Sequence, residues 1–127
     1  MKTIPNSLHH WFIIHFIADM LFGLPLIFAP GWLLGLFDIP NCEVVMARLV
    51  GAALIGIGGI SLVARNKSFE VYDTLLSLKI IWSAAATIGL FISYYSIRNI
   101  YILLIAWIFI IFAAIWWYYK IRLMNKL

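Results

Sequence analysis

Between Arg48 and Arg65 the chain runs for 16 residues without a charge, through LVGAALIGIGGISLVA. A stretch this apolar has few ways to fold. With its flanks, and at about 1.5 Å rise per residue, it is long enough as a helix to cross the roughly 30 Å hydrocarbon core of a bilayer. Its small residues fall on two adjoining helical stripes, Ala47–Gly51–Gly58 and Ala52–Gly56–Gly59. Side chains that small let helix backbones approach closely, which is how helices associate in lipid, where no hydrophobic effect draws them together. The segment reads as the central packing helix of a membrane protein.

Three further apolar runs accompany it, and the expected helices cover about residues 10–28, 42–64, 69–95 and 101–119. A chain that is 65% hydrophobic and 11% charged has too little polar surface to cover a water-facing globule. Its aromatic content of 17%, with six Trp and six Tyr, suits anchoring at two membrane–water interfaces. The formal charge of +4 sits in short loops and tails, so membrane topology explains it and no nucleic-acid partner is expected. One cysteine, Cys42, excludes an intramolecular disulfide and any CxxC site.

Short links fix the connectivity. Ser7 is the expected cap of the first helix, starting near Leu8, and Pro25 is expected to kink its far end. Asp19 inside the apolar run, with no small-x-small cleavage site, argues against a signal peptide. Pro30-Gly31 ends the helix, and 32–37 (WLLGLF) is too short to span and reads as an interfacial segment led by Trp32. Asn41 and Ser68 are the expected caps of the second and third helices, with Glu43 and Glu70 in their first turns. The fourth helix is expected to close on an interfacial belt, residues 116–119, followed by a basic tail.

Antiparallel neighbours joined by such links give an all-α, up-down-up-down four-helix bundle in a single domain. Lys2, Arg65, Lys67, Lys120, Arg122 and Lys126 fall on one side. The positive-inside rule therefore places both termini in the cytoplasm. The expected location is the plasma membrane of a prokaryote.

Ionisable residues at membrane depth are costly and mark candidate sites. Asp19 lies nine residues into the first run, about 13 Å below its start, with His15 one turn earlier on the same face. Lys79 lies at a similar depth on the third helix and shares its face with Tyr72, Ser83 and Ala86. Asp19 and Lys79 are expected to pair, either as an ion pair that fixes helix register or as part of a ligand or proton site. Arg48, near the outer end of the second helix, either reaches the headgroups, folds back on Glu43 or Asp38, or faces the bundle to bind an anionic group. Trp11, Trp82 and Tyr72 would line an apolar cavity. His9, His10 and His15 all lie on one helix, with the first two about 100° apart, so no metal or haem cofactor is expected. No nucleophile–base constellation, Walker A or dinucleotide signature is visible, so no catalytic residue is assigned.

Residues 30–37 (PGWLLGLF) followed by 48–56 (RLVGAALIG) resemble the small DoxX-like four-helix membrane proteins, a likeness covering about residues 29–90. The resemblance implies a four-helix bundle. Relatives in the wider group include membrane partners of quinone-linked oxidoreductases and sterol-binding or sterol-isomerising proteins. The sterol type uses two acidic residues in a shared cavity; Asp19 alone stands at depth here, so isomerase activity does not carry over. Arg48 is the residue the resemblance marks.

Three functions follow as expectations. The first is a membrane protein binding a lipid-like or quinone-like ligand, or serving as an accessory subunit, through a polar site formed by Asp19, Lys79, Arg48, His15, Tyr72 and Trp82. The second is an oligomeric proton-coupled transporter or channel using Asp19 and His15. The third is a purely structural subunit of a larger membrane complex.

Overall fold

A computed structural model describes residues 3–39 and 43–125; the expected Asn41 cap and Cys42 lie outside the described residues. These residues form five helices and no strand: α1 (Asn6–Phe28), α2 (Pro30–Leu36), α3 (Val44–Val63), α4 (Phe69–Ile97) and α5 (Ile100–Met124). Four of them are long and apolar enough to cross a membrane. The fifth, α2, overlaps most of the segment 32–37 that the sequence marked as too short to span.

The helix ends depart from expectation for local reasons. α1 starts at Asn6 rather than Leu8, because Pro5 is extended (φ −60°, ψ 137°) and its carbonyl accepts the Leu8 N–H at 3.0 Å. Ser7 therefore lies inside the helix and does not cap it. Pro30 sits in the first turn of α2, where its missing N–H costs nothing. Glu43 is the N-cap of α3 rather than a first-turn residue. Ser68 stands at the N-cap of α4 without a side-chain cap bond. Arg98 ends α4 in the left-handed region (φ 57°), and the Asn99 carboxamide oxygen then caps α5 by accepting the Tyr101 N–H at 2.9 Å. α5 runs five residues past its expected end at Tyr119, so Lys120 and Arg122 are helical rather than a tail. Within the expected belt, Trp116 and Tyr119 are buried while Trp117 and Tyr118 are exposed.

The chain divides into two compact units, one from Pro5 to Lys67 and the other from Ser68 onward together with the described residues before Pro5. In the first, α1 packs along α3. The contacts between Gly23 and Gly51, and between Asp19 and Gly58, together with hydrogen bonds from Arg48 to Ile27 and from His9 to Arg65, define an antiparallel pair. Glycine is what permits this contact. A Cβ on Gly51 would lie 2.9 Å from both the Gly23 carbonyl oxygen and Leu26 Cβ. α2 folds back on α1, with Phe37 stacked on Phe22 at a centroid separation of 6.1 Å.

In the second unit α4 packs along α5, also antiparallel: Asp73 meets Lys120, Lys79 meets Trp116 and Trp82 meets Phe109. The other small-residue stripe of α3 stays open. Ala52 and Gly56 are exposed, and a Cβ on Gly56 or Gly59 would meet nothing within 4 Å among the described residues.

The buried residues are mostly apolar, among them Leu8, Phe12, Leu76 and Trp116, but several polar side chains are buried with them while much large aliphatic surface is exposed. His15, Asp19, Ser61, Lys79 and Ser83 are buried, whereas Leu21, Phe28, Val63, Ile81, Ile88, Ile92 and Ile111 are exposed. Exposed aliphatic surface of that extent is stable against lipid and not against water.

Candidate functional site

The buried face of α1 is the row Leu8, Phe12, His15, Asp19, Gly23 and Leu26, spaced three and four residues apart. Helical geometry thus puts His15 and Asp19 one above the other, as the sequence spacing required. His15 Nε2 lies 3.4 Å from Asp19 Oδ2, and the two residues are only 4% and 6% exposed. The opposing face of α3 is Ala47, Gly51, Leu54, Gly58 and Ser61. Gly58 is the seat of the carboxylate: a Cβ there would lie 2.6 Å from Asp19 Cβ and 3.0 Å from Oδ2. The antiparallel register brings Ser61 to the level of His15, and the Ser61 hydroxyl donates to the Ile57 carbonyl at 3.0 Å.

A buried carboxylate requires partners, and the imidazole one turn away stands within ion-pairing distance of it, though Oδ2 accepts no hydrogen bond among the described residues. Together the two side chains can hold and pass a proton, or present a donor and an acceptor to a polar group.

In the second unit Tyr72, Leu76, Lys79 and Ser83 form the buried row of α4, with Ala86 half-buried. The Lys79 ammonium, 1% exposed, stands 5.1 Å from the ring centre of Trp116, which stacks on Phe112 at 5.8 Å. An ammonium over an indole face is attracted by the ring quadrupole, by about 2 kcal/mol when desolvated. One turn on, Trp82 packs edge-on against Phe109, and its buried Nε1–H finds no hydrogen-bond acceptor among the described residues.

Of the six residues the sequence assigned to a site, the structure joins His15 to Asp19 and aligns Tyr72 with Lys79, with Trp82 a turn beyond. Asp19 belongs to the first unit and Lys79 to the second. Trp11 is half-buried. Arg48 is exposed, and its Nε donates to the Ile27 carbonyl at 3.0 Å; no carboxylate among the described residues lies within ion-pairing reach.

Three partners escaped the sequence reading. Trp116 had been read as an interface anchor. Lys120 Nζ binds Asp73 Oδ1 at 2.6 Å and the Asp73 carbonyl at 3.1 Å. His9 Nδ1 donates to the Arg65 carbonyl, capping the end of α3. Only the pairing of Lys120 with an acid on a preceding helix had a signal, opposite charges at matching depths. Among the described residues no group of three or more His, Cys, Asp or Glu side chains could hold a metal ion. A concavity of about 450 Å³ opens at the end of α5, lined by Tyr118, Ile121, Arg122 and Asn125.

Fold and site together define a class: an all-helical protein with four helices long and apolar enough to cross a membrane, and with polar side chains buried on them. No family model, curated protein or solved structure matches the chain.

Proposed function

We propose that this protein binds a hydrophobic ligand, lipid-like or quinone-like, whose polar group is oriented by side chains buried in the spans. The observation that carries the reading is the burial of three ionisable side chains, His15, Asp19 and Lys79, in long apolar helices whose exposed faces are largely aliphatic. Such groups cost several kcal/mol in hydrocarbon and persist where they serve binding or transfer. The indole N–H of Trp82 supports the same reading, since a donor buried away from water calls for an acceptor. The resemblance of residues 29–90 to DoxX-like proteins points the same way.

In this reading the four spans run up-down-up-down with both termini in the cytoplasm. Arg65 and Lys67 after α3, and Lys120 and Arg122 at the end of α5, then lie on the positive side.

The test is mass spectrometry of organic extracts from the full chain purified in mild detergent and washed free of loosely held lipid. Wild type is expected to retain one hydrophobic species near unit stoichiometry, and Asp19→Ala to lose it. A wild-type protein that comes through bare contradicts the proposal.

The His15–Asp19 contact favours a second reading, a proton relay in an oligomeric carrier. Proteoliposome flux would then vary between about pH 5 and 8, where histidine changes charge, and Asp19→Asn would abolish it. Flux that is flat over that range eliminates the relay.

A further inference from the structure

Arg48 stands four residues into α3, about 6 Å from its start. It lies level with Ile27, one residue before α1 ends. The Ile27 carbonyl is among the last four of its helix, which have no intrahelical partner, and Arg48 Nε–H fills that need. The bond tethers the guanidinium by one of its five N–H donors and leaves the four on its two Nη atoms. These four find no acceptor among the described residues, for this is the single hydrogen bond the side chain makes there and neither Asp38 nor Glu43 comes within pairing reach. α2, with Trp32 exposed, connects to the same end of α1, and an exposed tryptophan there marks headgroup depth.

We propose that Arg48 is a binding site for the phosphate of an anionic phospholipid headgroup. A planar fork of N–H donors matches two phosphate oxygens, and the Nε tether fixes the plane in which it is offered. With no carboxylate paired to it among the described residues, its positive charge has no local counter-ion. A zwitterionic headgroup brings its own ammonium to compete for the phosphate, so a headgroup such as phosphatidylglycerol is preferred. The proposal goes beyond the ligand reading and is independent of the His15–Asp19 pair; it rests only on the helices spanning a bilayer.

The experiment titrates the full chain in detergent with phosphatidylglycerol, phosphatidylcholine or inorganic phosphate. It follows the unfolding midpoint of each variant relative to its own lipid-free baseline. Lipids retained on the folded fraction are counted by native mass spectrometry, so that a variant weakened by loss of the α1 cap is still read. Wild type is expected to be raised by phosphatidylglycerol, less by phosphatidylcholine and not by inorganic phosphate. Arg48→Lys, which keeps the charge without the fork, should bind phosphatidylglycerol about ten-fold more weakly, and Arg48→Gln should show no preference between the lipids. An unchanged phosphatidylglycerol preference in Arg48→Gln overturns the site, and an equal response to inorganic phosphate overturns the assignment to a lipid.

Discussion

Adding one methyl group at four glycines of α3 separates the packed face of that helix from its open one. A glycine-to-alanine change inside a helix gains about 1 kcal/mol of intrinsic propensity. Gly56 and Gly59 have open space where the methyl would go, so that gain is unopposed there. At Gly51 the new Cβ would lie 2.9 Å from the Gly23 carbonyl oxygen, and at Gly58 2.6 Å from Asp19 Cβ. Neither neighbour is the loose end of a flexible side chain, so α1 must move away from α3. Overpacking of this kind costs about 1–3 kcal/mol. The net expectation is a loss of up to about 2 kcal/mol for Gly51→Ala and Gly58→Ala, and a gain of up to about 1 kcal/mol for Gly56→Ala and Gly59→Ala. Unfolding in mixed micelles with increasing dodecyl sulfate, followed by helical circular dichroism, reads the difference. Four variants shifting in the same direction would refute the assignment of α1 to the Ala47–Gly51–Gly58 stripe.

Other contacts give smaller effects. Asn99→Ala should cost about 1 kcal/mol by removing the cap of α5, read in the same unfolding assay, whereas Asn99→Asp should cost little. The Asp73–Lys120 bridge is short, but its carboxylate is partly open to solvent. A double-mutant cycle of Asp73→Asn and Lys120→Met should therefore give a coupling no larger than about 0.5–1 kcal/mol, declining with salt. Trp116→Leu should destabilise by about 3 kcal/mol or more, because it empties a fully buried site and removes the face on which the Lys79 ammonium rests. The same change in a Lys79→Met background should cost less, and equal losses would mean the cation–aromatic contact contributes nothing.

Much of this architecture was legible in the sequence because hydrocarbon imposes simple rules. Runs of about twenty apolar residues gave the four long helices, and the brevity of 32–37 set α2 apart. The four-residue spacing of His15 and Asp19 put them on one face without any knowledge of the partner helix. Harder to read was which of two small-residue stripes on α3 receives α1. Both contain glycines, and the choice depends on Gly23 and Asp19 of α1 meeting Gly51 and Gly58 in register.

Arg48 shows another limit of sequence. Its side chain was weighed against headgroups, carboxylates and an anionic ligand; the acceptor of its Nε–H is a backbone carbonyl, which sequence leaves anonymous until the helix end is placed. The indole face of α5 that stands over Lys79 was equally unreadable, because residues 116–119 had been read only as an interfacial belt. The expected belt at 116–119 splits because two residues of every four on a helix turn toward its neighbour, so Trp116 and Tyr119 pack inward while Trp117 and Tyr118 do not.

The central claim is that the spans turn polar side chains inward and aliphatic ones to lipid, and oxygen accessibility of spin labels placed singly along α1 in liposomes, with Cys42 replaced by serine, tests it most directly. The account predicts maxima at positions 13, 17, 21 and 28, and minima at 12, 15, 19 and 23, a wave with the period of the helix. Maxima at 15 and 19 would place histidine and carboxylate against lipid and contradict it.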